Sequence, residues 1–82
     1  MAATDDTGII EIVAANVRRA RKQAGLSQKQ LAHEAGVDRT YVSQVERRKR
    51  NVTITVLARL ATALGTSPDR LLVPDTKRSK QA

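Results

Sequence analysis

Ser27, His33 and Asp38 supply one each of the residue types of a nucleophilic triad, while Arg47-Arg48-Lys49-Arg50 is an unbroken run of cations. The first three do not form a triad, because two of them are committed elsewhere. Ser27 is followed three residues later by Gln30, the spacing of a capping box, in which the hydroxyl accepts a backbone N–H at a helix start. Asp38 stands in the same way before a second apolar-periodic segment. His33 is the only histidine and cysteine is absent, which removes a second metal ligand, thiolate chemistry and disulfides. The expectation is therefore no metal, no cofactor and no catalysis. What remains is the chemistry of the cations, which is the binding of an anionic partner.

The whole composition agrees. Fifteen Lys and Arg against eight Asp and Glu give +7 on 82 residues, an excess that points to nucleic acid or an anionic membrane surface. No apolar run approaches the ~18 residues of a spanning helix. The N-terminus carries Asp5 and Asp6 where a signal peptide would be positive, so a cytoplasmic location without membrane insertion is expected. Tyr41 is the sole aromatic residue, which disfavours RNA modules that stack bases on several rings. It also leaves the core to Ala, Val, Leu and Ile. A chain this short buries only about 60% of its unfolded surface, enough for one compact domain.

Apolar spacing predicts five helices and no strand. Ile10, Val13, Ala14, Val17, Arg21 and Ala24 form the stripe of a first helix that starts after Thr7 and Gly8 and ends at Gly25. A second runs from Ser27 to about Ala35, stopped by Gly36, and a third from Asp38 to about Arg48. Lys49 to Val52 reads as a basic loop. Thr53 caps a fourth helix with Leu57, Leu60, Ala61 and Leu64 on its inner face, and Gly65 ends it. Ser67-Pro68 opens a short fifth helix carrying Leu71 and Leu72, with proline where its missing N–H costs nothing. The ordered domain is expected over residues 7–74, between a disordered arm of 1–6 and a disordered basic tail of 75–82.

Residues 28–47 carry the functional pattern: two short helices around Gly36, with apolar positions at Leu31, Ala35, Val37, Val42 and Val45 and a small Ala32 where the helices cross closely. This is the spacing of a helix-turn-helix. A helix of that motif laid in the major groove reads bases with its first turns and outward face, here Arg39, Thr40, Ser43 and Gln44, with Tyr41 flanking. Arg39 has the fork to take guanine O6 and N7, and Gln44 suits adenine. Tyr41 has two open readings, packing against the loop before helix four or touching a phosphate or thymine methyl. Arg47, Arg48 and Lys49 face phosphates, as does Asn51 beside them. The start of the second helix at Gln28 is an anion site through its dipole and unpaired N–H groups.

Gly25-Leu26-Ser27-Gln28, Leu31-Ala32, Gly36-Val37, Val45-Glu46 and Leu60-Ala61 through Leu64-Gly65 together resemble the lambda-repressor and Cro-like family of helix-turn-helix DNA-binding domains. The resemblance spans roughly Val13 to Leu72. Asp38-Arg39-Thr40-Tyr41-Val42-Ser43, Glu46-Arg47 and Arg50-Asn51-Val52-Thr53-Ile54 are similar to the controller proteins of restriction-modification systems. The chain departs from many relatives at Arg48, where they carry Gly, and at Val52, where they carry Pro. The resemblance implies an all-α five-helix fold, a Gln28 contact to phosphate and an Arg50 contact near bases. It further implies a structural bridge between Arg21 and Glu46, which displaces the reading of Glu46 as a catalytic carboxylate, and a homodimer through helix five.

Leu71, Leu72 and Val73 offer the apolar edge for that dimer. The expected function is a sequence-specific transcription regulator on a palindromic double-stranded DNA operator. The alternative is an antitoxin that binds a toxin and autoregulates its operon, for which the short polar tail is a poor toxin-binding segment.

Overall fold

The computed structural model describes the backbone of residues 5–74 and the side chains of residues 8–74. Five helices follow one another: α1 (Asp5–Gln23), α2 (Gln28–Ala35), α3 (Arg39–Glu46), α4 (Ile54–Leu64) and α5 (Pro68–Leu71), and there is no strand among the described residues. Most of the core comes from side chains the periodicity selects. Val17, Leu31, Val42, Val45 and Leu60 are almost fully buried, and Val13, Leu57, Ala61 and Leu71 pack with them. Ala32 and Ala35 are buried on the inner side of α2, where their small size lets the helices approach closely.

Local signals fix where the helices begin and stop. Ser27 Oγ accepts from the Gln30 N–H while Gln30 Oε1 accepts from the Ser27 N–H, closing the capping box. Gly36 takes φ 72°, the left-handed region that a residue with a Cβ enters only at a cost, and turns the chain from α2 to α3. Thr53 caps α4 by accepting from the Val56 N–H. Asp38 and Ser67 occupy the expected cap positions without a side-chain cap bond to their helices.

Four details differ from the expectations. Helix α1 begins at Asp5, inside the segment expected to be a disordered arm. Met1–Thr4 and the tail of 75–82 lie outside the described residues. Helix α3 ends at Glu46, two residues before the expected limit. The Lys49 N–H bonds the Gln44 carbonyl at 2.8 Å and the Arg48 N–H bonds the Val45 carbonyl at 3.1 Å, which is a Schellman motif. Its left-handed position is Arg48, at φ 61°. Leu71, expected at the dimer edge, is 2% exposed and belongs to the core of its own chain, leaving Leu72 and Val73 at 41% and 42% as the exposed pair. Ala24 and Leu64 lie at the ends of their stripes, the first exposed and the second half-buried.

Asn16 is the buried polar residue that periodicity did not single out, although it lies among Val13, Ala14 and Val17 on the inner face of α1. Its amide donates to the carbonyls of Leu71 at 2.8 Å and Val73 at 2.9 Å, so one side chain holds α5 and the following turn on α1. Its own oxygen accepts from Arg19 at 2.6 Å.

The left-handed Arg48 supplies a direct test. Arg48→Gly removes the Cβ that crowds the left-handed region, a relief of about 1 kcal/mol after allowing for the greater freedom of glycine in the unfolded chain. The urea midpoint should rise. A lower midpoint would mean that Arg48 does not hold this conformation in solution.

Candidate nucleic-acid interface

Helix α3 divides its side chains cleanly. Val42 and Val45 point into the core, while Arg39 and Thr40 are exposed and Ser43 and Gln44 half-exposed on the outward side. Arg39 with Ser43, and Thr40 with Gln44, lie four residues apart and so share one face of the helix. Arg47, Arg48, Lys49, Arg50 and Asn51 follow at once, all exposed. All the residues expected to meet bases or cations-to-phosphate contacts after residue 38 are thus on one helix and the loop that leaves it.

What holds that helix is a part-buried ion pair. Arg21 Nε donates to Glu46 Oε2 at 2.6 Å and its Nη2 to Glu46 Oε1 at 3.0 Å, a two-pronged contact in which the side chains are 12% and 4% exposed. The third arm of the guanidinium reaches the Leu26 carbonyl at 2.9 Å. One arginine therefore ties the end of α1, the turn after it and the end of α3. The Glu46 hydrogen bond holds the Arg21 pKa above its ordinary value, against the opposing effect of burial. The Glu46 carboxylate is thus paired within the fold, while Arg47, Arg48, Lys49 and Arg50 after it are exposed.

Gln28 joins this cluster, its Nε2 donating to Glu46 Oε1 at 3.1 Å. Sequence reasoning placed Gln28 against phosphate and missed this contact, because residues eighteen apart in sequence give no spacing signal. At least one of its amide hydrogens is turned inward. Among the described residues every buried side-chain nitrogen or oxygen has a hydrogen-bond partner.

A second cluster lies on the outward face. Arg50 Nε donates to Gln44 Oε1 at 2.9 Å, and the guanidinium carbon sits 4.3 Å above the centre of the Tyr41 ring. The Tyr41 hydroxyl lies 3.4 Å from the Thr53 N–H, a long contact. The Tyr41 ring thus lies beside Arg50 and Thr53, at the loop before α4. His33 is exposed, and no group of three metal-ligating residues occurs among the described residues. None of the described helices is long and apolar enough to cross a membrane.

Comparison with known proteins converges on the same elements. The sequence profile of the helix-turn-helix family matches residues 17–71. Control protein C.SmaI of Serratia marcescens is 48% identical over 73 residues, covering 89% of this chain and 87% of that protein. The crystal structure of the hypothetical transcription factor NHTF from Neisseria superposes with a TM-score of 0.84 at 39% identity, over 90% of this chain and 85% of that one. The restriction-modification controller protein C.AhdI from Aeromonas hydrophila gives 0.73 at 42% identity, over 76% and 94%. The matched span contains the close α2–α3 crossing, the Gly36 turn and the outward face of α3, and so the chain belongs to the lambda-repressor-like (XRE-type) branch of the helix-turn-helix family.

Proposed function

We propose that this protein is a sequence-specific DNA-binding transcription regulator of the controller type, acting as a homodimer on a palindromic operator. The observation that carries it is the outward face of α3. Arg39 and Thr40 project from the first turn of a helix whose opposite side is locked into the core, and four consecutive cations stand exposed at its far end. This division suits a helix set in the major groove, with base contacts at Arg39, Thr40, Ser43, Gln44 and Arg50 and phosphate contacts at Arg47, Arg48, Lys49 and Asn51. Gln28 contributes at its backbone N–H, at the positive end of α2, and with whatever of its amide Glu46 does not use.

Two relatives, C.SmaI and C.AhdI, are controller proteins by name, which supports the subtype. The reading is of a binding protein whose cations act by position and charge, without a catalytic step.

Arg39→Ala tests the reading. It should weaken binding to the selected operator by about 1–3 kcal/mol while leaving binding to random duplex nearly unchanged, because a base contact discriminates and a phosphate contact does not. Lys49→Ala should do the reverse, weakening both and lowering the slope of log affinity against log salt by about 0.9. Equal losses on operator and random duplex for Arg39→Ala would remove it from base readout.

A further inference from the structure

We propose that Gln44 and Arg50 act as one unit that offers the major groove donors only, and that the unit selects guanine and rejects adenine beneath the last turn of α3. The proposal rests on the DNA-binding reading above. It reverses the preference that Gln44 would have by itself.

A free glutamine amide suits adenine, because its oxygen accepts from N6 while its nitrogen donates to N7. Gln44 is not free. Its Oε1 accepts from Arg50 Nε at 2.9 Å, and the guanidinium is also in contact with the Tyr41 ring, whose centre is 4.3 Å from its carbon. The amide oxygen keeps a second lone pair, but the approach to it runs beside a positive charge. An incoming adenine N6 amino group would meet the guanidinium donor against donor. What the pair has left to donate is the Gln44 amide nitrogen, with two N–H groups, and the guanidinium N–H groups not spent on Gln44. Of the four base edges in the major groove, guanine alone presents two adjacent acceptors, O6 and N7, with no donor of its own.

The pairing is also suited to act as a unit. The bond is charge-assisted and joins the last turn of α3 to the loop that follows it, so the loop arginine is tied to the helix at Gln44. Tyr41 is a positioning residue here: it acts through Arg50. Because Gln44 and Arg50 are not in the buried core, both can be replaced without emptying it.

The experiment is selection from a pool of random-sequence duplexes by the full chain, carried out in parallel for wild type, Arg50→Ala, Gln44→Ala and Tyr41→Phe. The base pair whose preference changes in Gln44→Ala is the one beneath the pair. Wild type should favour guanine there. Arg50→Ala frees the amide oxygen and should move the preference from guanine to adenine, a reversal in which each side is about 5- to 160-fold, the ~1–3 kcal/mol of a good bidentate base contact. Gln44→Ala should keep guanine through Arg50 with reduced discrimination, and Tyr41→Phe, which retains the ring, should select as wild type does.

If wild type selects adenine there, or Arg50→Ala loses affinity evenly without changing the base, the pair is not the reading unit, although DNA recognition by α3 stands. If no variant enriches any sequence, the DNA-binding reading fails and takes the pair with it.

Discussion

Replacing Glu46 by alanine should lower the unfolding free energy by about 2 kcal/mol, below the ~3–5 kcal/mol of a fully buried pair, because the part-buried pair that loses one member leaves the other charge uncompensated. Domains of this size are stabilised by about 4–12 kcal/mol in all, at ~0.05–0.15 kcal/mol per residue. The loss would therefore bring the thermal transition down steeply. In the variant the Arg21 guanidinium keeps only the Leu26 carbonyl among its three partners, and the Gln28 amide loses its acceptor. Arg21→Ala should be comparably damaging, since it leaves the Glu46 carboxylate, 4% exposed, with Gln28 alone.

The double replacement Arg21→Met with Glu46→Leu separates a structural pair from a functional one. Removing both charges removes the desolvation cost along with the attraction, so the double variant should regain part of the stability that either alanine loses. Its affinity for DNA, measured at a temperature where it is folded, should stay within a few-fold of wild type. Were Glu46→Ala and Arg21→Ala to melt like wild type while DNA binding vanished, the pair would belong to recognition instead of to the fold.

How much of this was legible in the residues follows from the range of the signals. Capping and turn chemistry acts over three or four residues, and it located the starts of α2 and α4 and the turn at Gly36. Apolar periodicity found the core from Val13 to Ala61, because burial on one side of a helix repeats within a few residues. Arg21 and Glu46 were paired through the family resemblance, whereas the Gln28, Asn16 and Gln44–Arg50 contacts depend on side-chain geometry across elements, and no local spacing carries that.

Two of the misplacements have separate causes. Apolar character in Leu71, Leu72 and Val73 does not say which of three adjacent residues turns inward on a helix four residues long. Asn16 does: by taking the Leu71 and Val73 carbonyls it orients that turn, which buries Leu71 and leaves Leu72 and Val73 outside. At the end of α3 the basic run hid a Schellman turn, since arginine at its left-handed position is a conformation that propensity argues against.

That orientation of α5 sharpens the expectation for assembly, which is that Leu72→Asp converts a two-fold homodimer into a folded monomer. One short helix reads only a few base pairs, and the discrimination a genome requires is supplied by two of them on one operator, about 34 Å apart along the groove. Leu72 and Val73, each about two-fifths exposed at 41% and 42%, are the apolar surface available next to the end of α5 for a two-fold contact. A carboxylate in that contact would face its own copy across the axis, and the repulsion would act with the lost apolar burial. Operator affinity should then fall roughly a hundredfold or more, as half-sites bind without cooperation. Leu72 also borders a cavity of about 160 Å³ beside Ile9, Val13 and Leu57, so Val73→Asp, which lies outside that lining, serves as the second variant. Leu71→Ala is the contrast: it should lower the melting temperature, because that side chain is 2% exposed within its own chain. Sedimentation and circular dichroism together check all three. A wild-type chain that sediments as a monomer at micromolar concentration and protects a single half-site would defeat the dimer, and with it the palindromic operator.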